Sequence, residues 1–203
     1  MKTKIAVLVS GGGTNLQALI DAQGKTLVSG EIALVVSSSA GAYALERAKK
    51  AGIPTVTLLK KELGGQEGFE AALVQTLEDN GIQVIILAGF MTILSERFTS
   101  RYPRRIINIH PSLIPSFCGE GYYGLRVHQA ALARGVKLTG ATVHFVNEIP
   151  DGGEIIAQKA VYIEPGDTPE ILQRRVMEQA EWLLLPQAAE TVCAELQKQA
   201  PCK

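Results

Sequence analysis

Along the first half of the chain, apolar positions fall in short unbroken runs separated by stretches of helical period. Strands buried on both faces, alternating with packed helices, give this pattern. Residues 5–9 form a continuous aliphatic run closed by Ser10 and three glycines, and residues 32–36 and 84–88 repeat the arrangement. Shorter runs at 55–58 and 106–108 predict two further strands. Between them a helix is expected to start over 15–20, and a second covers 42–51, with Leu45, Ala48 and Ala51 in register and Gly52 as its stop. A third carries Phe69, Ala72, Leu73, Thr76 and Leu77, with Gly81 at the left-handed cap position, and a short one follows at 95–98. Strands alternating with helices require right-handed crossovers and so a mainly parallel sheet.

The second half changes character. Residues 140–146 and 155–161 are strand-like runs joined by a loop containing Pro150, Asp151, Gly152 and Gly153, which predicts an antiparallel hairpin. Thr168 followed by Pro169 and Glu170 reads as an N-cap and first helical turn, with the helix running towards Leu196 and a kink or break near Pro186. The fold class expected is α/β: an open, mainly parallel twisted sheet flanked by helices, Rossmann-like, with an antiparallel hairpin in the C-terminal part. At 203 residues the chain fits one domain, large enough to bury a core without disulfides or a structural metal.

Charge narrows the partners. Lys plus Arg and Asp plus Glu both number 20, so no global field draws in nucleic acid or an anionic membrane, and any anion must be held by local geometry. The apolar runs fall far short of the ~20 residues of a membrane helix. The N-terminus leads straight into a strand pattern, and Cys118, Cys193 and Cys202 are widely spaced, with no paired motif. A cytoplasmic protein without a disulfide framework or a metal site is expected.

Two segments carry candidate chemistry. Gly11, Gly12, Gly13, Thr14 and Asn15 lie between the first strand and first helix, where helix N-terminal amides favour an anion and glycine lets it approach. The loop has no Gly-Lys-Ser/Thr ending, and Leu16 replaces the third glycine of a dinucleotide fingerprint, so a phosphate ester is favoured over a nucleotide. The same glycines would also serve a plain tight turn. The second segment, Asn108, Ile109, His110, Pro111, Ser112, follows a buried strand, at the end of the sheet where open α/β folds bind ligands. Alternation puts Asn108 and His110 on one side, where an amide can donate to an oxyanion and an imidazole can move protons. His144, flanked by Val143 and Phe145, reads as a hydrogen-bonded structural histidine; His128 falls on a helical stretch with its role undecided; Asp151 alone reads as a turn residue.

Four segments in order, 11–15 (GGGTN), 87–91 (LAGFM), 108–113 (NIHPSL) and 142–146 (TVHFV) with Asp151, Gly152 and Gly153 beyond, resemble the phosphoribosylglycinamide formyltransferases, of the folate-dependent formyltransferase family. The resemblance spans nearly the whole chain. It implies one formyltransferase domain over 1–203, with a phosphate-binding half at 1–100 and a folate-binding, catalytic half at 101–203. It also implies transfer of a formyl group from 10-formyltetrahydrofolate, as co-substrate, to 5-phosphoribosylglycinamide in purine biosynthesis, by a monomer or homodimer and without a metal. Gly12, Gly13, Thr14 and Asn15 would then hold the substrate phosphate, and Glu181, after a one-residue shift in alignment, would contact the glycinamide ribonucleotide. Asn108 and His110 would flank the formyl group, and Asp151 would pair with His110 and raise its pKa, making it a proton donor near neutrality. Met91, Thr92, Ile93 and Leu94 would line the folate pocket with Asn108 and Gln66. Family members often carry Arg at the Thr92 position and Arg or Lys near Gln66, so the departures bear on folate contacts.

Formyltetrahydrofolate hydrolases and methionyl-tRNA formyltransferases share the Asn-x-His-Pro-Ser and Asp features, and the length of this neutral chain is expected to leave no room for their additional domains. A non-catalytic phosphate-binding module and a thiol hydrolase using Cys118 and His110 are the readings from other classes.

Overall fold

The computed structural model describes residues 1–199. Seven strands form one sheet in the order β3-β2-β1-β4-β5-β6-β7: β1 Thr3–Val9, β2 Gly30–Ser37, β3 Thr55–Thr57, β4 Val84–Leu87, β5 Ile106–His110, β6 Leu138–Phe145 and β7 Ile155–Tyr162. The pairs from β3 to β5 are parallel, and β6 joins β5 and β7 antiparallel, as the change of pattern along the sequence predicts. The sheet buries apolar side chains on both faces. Ile5, Val7 and Val9 enter one core cluster, whereas Ala6 and Leu8 enter the other, which is why β1 carries no polar alternation.

The helices are α1 Thr14–Ala22, α2 Tyr43–Lys50, α3 Gln66–Asp79, α4 Glu96–Thr99, α5 Leu125–Arg134, α6 Pro169–Val176 and α7 Trp182–Gln199. Their boundaries follow local chemistry. Ser95 and Thr168 accept hydrogen bonds from Phe98 N and Ile171 N, capping α4 and α6, and Gly81 adopts φ 64° after α3. None of the described helices is long and apolar enough to cross a membrane.

One expectation is corrected. The C-terminal helix is not broken at Pro186, which lies inside α7 with its side chain buried. The irregularity falls one turn earlier, where Met177–Glu181 form a π-helical turn between α6 and α7. Such a turn takes up one extra residue within an otherwise α-helical run. The widened turn leaves Glu181 facing inward, 6% exposed.

On α5, His128 is fully buried, and neither ring nitrogen has a hydrogen-bond partner among the described residues. Burial, followed by the nearby His110, pushes its pKa down to about 4, so the ring is neutral in the fold. The unfolded chain, with histidine near 6.5, binds the extra proton first, so this contribution to stability is complete above pH 6.5 and is lost as pH falls towards 4. His128→Met is expected to remove that loss, reducing acid destabilisation between pH 7.5 and pH 4.5 by about 3 kcal/mol. Urea unfolding of both proteins at the two pH values measures it, and identical pH dependences would exclude the assignment.

Candidate functional site

The site lies at the C-terminal ends of the central strands. β5 presents Asn108 and His110, and the antiparallel register sets His144 of β6 directly opposite Asn108 and Thr142 opposite His110. Asp151 enters from the β6–β7 loop at φ 55°, a left-handed conformation that Asp tolerates better than most residues. Its carboxylate accepts a hydrogen bond from Gly119 N at 2.9 Å. It also lies 3.3 Å from His110 Nδ1, 3.4 Å from Asn108 Nδ2 and 3.5 Å from His144 Nε2. Carboxylate, imidazole and carboxamide thus converge as expected, and the His144 ring, read from sequence as structural, stands among them.

A consistent proton arrangement follows. His144 Nδ1 donates to the Phe145 carbonyl at 2.8 Å, which leaves Nε2 as the acceptor for Asn108 Nδ2 at 3.1 Å. The other Asn108 N–H makes only the 3.4 Å contact with Asp151 and is the one an incoming oxygen can take over. His110 Nε2 donates to the Phe117 carbonyl at 2.9 Å. That carbonyl belongs to the loop between β5 and α5, where Phe117 is held at φ 51°.

The expected upward shift of His110 is not what the structure gives. Burial drives its pKa down, Asp151 and the Phe117 carbonyl act in the opposite sense, His144 adds to the lowering, and the net displacement is below the ordinary value of 6.5. The ring is a neutral N–H donor at neutral pH before substrate arrives. For Asp151, burial acts upward, but contacts with His144, His110 and the Gly119 amide outweigh it and hold the carboxyl below the usual range. Cys118 is a poor nucleophile here: burial and then Asp151 raise its pKa, and its thiol donates to the Pro115 carbonyl at 3.3 Å. Among the described residues no group of three or more His, Cys, Asp or Glu could hold a metal ion.

The glycine loop forms the second part of the site. Gly13 is the N-cap of α1 at φ 71°, with no side chain capping the helix, and a Cβ there would meet Ala44 Cβ at 2.6 Å. Glycine is thus required at this position by conformation and by packing against α2. The uncapped amides of the first turn, beginning at Thr14, remain free for an anion. Arg47 from α2 braces the loop, donating through Nε to the Gly12 carbonyl at 2.8 Å. Asn15 Nδ2 donates to Glu181 Oε2 at 2.7 Å, while Asn15 Oδ1 is buried with no partner among the described residues. Burial, opposed only by that bond, pushes the Glu181 carboxyl up to about 7. The loop is joined to the rest of the site through Ser10, whose Oγ accepts from Met91 N at 2.9 Å.

A cavity of about 140 Å³ opens beside Asn108, His144 and Asp151, walled by Met91, Thr92, Ile93 and Leu94 on one side and Ile149 and Pro150 on the other. Gln66 is not on this wall. Its side chain lies behind it, donating to Glu70 Oε1 at 2.5 Å and to the Ile93 carbonyl at 2.9 Å. Sequence reasoning missed His144 because its neighbour across the sheet is set by register. The available signal was the polar alternation of Thr142 and His144 within β6.

Residues 3–188 match the formyl transferase family. A phosphoribosylglycinamide formyltransferase from Haemophilus influenzae is 44% identical over 87% of this chain and 81% of its own length; one from Escherichia coli is 42% identical over 86% and 80%. A trifunctional purine biosynthetic protein from Gallus gallus is 46% identical over 95% of this chain, which spans only 19% of that larger protein. Among solved structures, glycinamide ribonucleotide transformylase 1 from Symbiobacterium toebii superposes with a TM-score of 0.89 at 39% identity, covering 96% of this chain and 89% of that one. The phosphoribosylglycinamide formyltransferase of Coxiella burnetii gives 0.87 at 42%, with the same coverage. This chain belongs to the formyl transferase family.

Proposed function

We propose that the protein transfers a formyl group from 10-formyltetrahydrofolate to the amine of 5-phosphoribosylglycinamide, a step of purine biosynthesis. The observation that carries this reading is the meeting of an uncapped, glycine-lined helix N-terminus and a buried Asn-His-Asp cluster along one edge of the sheet, bridged through Ser10 and Met91. The first binds a phosphate monoester; the second stabilises an oxyanion next to a narrow cavity. Likeness to the formyltransferases named above supports the same assignment. Residues 1–100 would carry the phosphate loop and the 91–94 wall, and 101–203 the Asn108, His110 and Asp151 cluster and Glu181, of one domain.

In this scheme the substrate phosphate sits on the amides of Gly13, Thr14 and Asn15, with Glu181 and Asn15 against the ribonucleotide. The cavity is smaller than the ~300 Å³ at which small-molecule pockets usually begin, so it encloses a flat ring and leaves the folate tail on the surface. The glycinamide nitrogen attacks the formyl carbon, and the carbonyl π electrons move to oxygen. His110 Nε2–H, released from the Phe117 carbonyl, and Asn108 Nδ2–H donate to that oxygen. As negative charge develops, the Asp151–His110 pair takes up the proton that the attacking nitrogen gives up, with Asp151 at Nδ1 stabilising the imidazolium, and releases it again when N10 takes one up. The attacking nitrogen loses a proton, the bond from carbon to N10 breaks, and N10 gains a proton. Tetrahydrofolate and the formamide leave. Holding two substrates in reacting geometry supplies much of the acceleration.

The direct test is an absorbance assay for deformylated folate with and without glycinamide ribonucleotide. Product is expected only when the amine is present, and release without it would indicate a hydrolase. In this assay His110→Ala and Asp151→Asn are expected to lower kcat at least a hundredfold with the fold intact by circular dichroism; near-normal turnover in either would remove these roles.

Because His110 is displaced below 6.5 in the free site, its neutral form predominates at neutral pH. The prediction is that kcat/KM does not decline between pH 6.5 and 8.5; a tenfold fall per pH unit there would assign catalysis to a preformed imidazolium.

Glu181, at about 7 in the fold against 4.5 when exposed, contributes stability that is complete below pH 4.5 and lost as pH rises through 7. Glu181→Gln is expected to stabilise the protein by about 3 kcal/mol at pH 8 and by little at pH 5, while raising KM for the ribonucleotide tenfold or more. Chemical denaturation at both pH values, beside steady-state kinetics, checks both halves.

A further inference from the structure

The cavity wall at residues 91–94 has no regular structure to hold it. It lies between the end of β4 and the start of α4, outside any strand ladder, and Met91 and Ile93 are 56% and 66% exposed. Such a segment would ordinarily sample several conformations, yet a flat ring needs a fixed wall. What fixes it comes from behind. Glu70 on α3 is 8% exposed, and its two carboxylate oxygens accept from Ser95 N at 2.7 Å and Ser95 Oγ at 2.5 Å. Gln66, one turn earlier on α3, donates to the same carboxylate and to the Ile93 carbonyl, so both its amide hydrogens are engaged. The Gly65 backbone that leads into this turn, at φ 101° and ψ −155°, is accessible to little besides glycine and sets Gln66 at the start of α3.

Residues 91–95 are therefore tied at three places: Met91 N to Ser10, the Ile93 carbonyl to Gln66, and Ser95 to Glu70. Met91, Thr92, Ile93 and Leu94 meet the cavity between these ties. The carboxylate is well suited to the task. Burial favours its neutral form, but the Ser95 hydroxyl and amide, Gln66 and the nearby Lys60 outweigh burial and hold the group below the usual carboxylate range. It stays charged across the working pH range, and charged acceptors make the stronger hydrogen bonds.

We propose that Glu70 and Gln66 are positioning residues for the folate side of the site, fixing residues 91–95 as a rigid wall without touching the ligand. The proposal rests on the formyl-transfer reading of the cavity. It gives Gln66 a role different from that of a basic residue contacting the folate tail: its amide is directed into the wall and serves the Ile93 carbonyl. A disturbance of this tie weakens capture of the folate ring and leaves the phosphate loop and the Asn108, His110 and Asp151 cluster as they are.

The test uses the full chain with Glu70→Ala, Glu70→Gln and Gln66→Leu, read by steady-state kinetics and by amide hydrogen exchange over residues 88–98. Glu70→Ala is expected to raise KM for 10-formyltetrahydrofolate at least tenfold, with kcat and KM for glycinamide ribonucleotide within twofold, and to speed exchange at 91–95 alone. Glu70→Gln, which keeps one acceptor oxygen and the side-chain volume, should recover most of that loss, and Gln66→Leu should show a smaller rise in the same constant. Unchanged folate KM with only a lower Tm would reduce the network to a structural one and overturn the proposal, as would a parallel loss of kcat and both KM values. Should Glu70→Ala fail to fold, Gln66→Leu decides alone: an unchanged folate KM and unchanged exchange sink the idea. If the wild-type protein forms no formylated product, the formyl-transfer reading fails, while the exchange comparison still decides whether the tie exists.

Discussion

The site depends on the Asp151 carboxylate. It lies on a loop between two antiparallel strands, yet its oxygens meet His110, Asn108, His144 and the Gly119 amide, groups that come from β5, β6 and the loop preceding α5. A carboxylate largely removed from water is tolerated only where donors face it; here Asn108 Nδ2 and the Gly119 amide donate, and the group stays below the usual carboxylate range. In return it orders both sides of the cleft: the His110 ring is oriented by it, and the 112–124 loop is drawn in through Gly119. The same loop delivers the Phe117 carbonyl to His110 Nε2.

The second constraint is opposite in sign. Glu181 is buried with a single amide donor, and its elevated pKa reflects a carboxyl with too few partners. The π-helical turn that brings it inward departs from the regular helix, and turns of this kind recur at functional sites. Between the two carboxyls run the uncapped start of α1 and the Ser10 link to Met91. The groups proposed for anion binding, ring binding and reaction therefore share one continuous edge of the sheet, as expected of ligand sites at the carboxyl ends of strands.

His110 and His128 show how burial outweighs local charge. Asp151 favours the protonated form of His110, yet desolvation of the ring is the larger effect and leaves it neutral before substrate binds. His128, with both nitrogens unpaired among the described residues, is displaced to about 4. A carboxylate beside a histidine in a sequence motif thus does not decide the ring's charge; the surrounding solvent exclusion does.

Much of this was legible in the chain itself. The aliphatic run of β1, which alternates between two cores, and the break to polar alternation in β6 follow from one-dimensional pattern, because strand period and burial are local properties. So are the caps at Thr168 and Gly81, and the glycine loop, whose conformation the residue types largely dictate. What the sequence could not supply was whatever depends on register or on the dielectric around a group. His144 joined the site because β5 and β6 pair antiparallel with Asn108 opposite it, Gln66 turned to the back of the wall because Glu70 and the Ile93 carbonyl took its amide, and the helix broke at the π turn instead of at Pro186. The sequence by itself determined the strands, the caps and the chemical groups available. Tertiary structure alone decided which of those groups meet and which are charged, because contact between distant residues and exclusion of water exist only once the chain has packed.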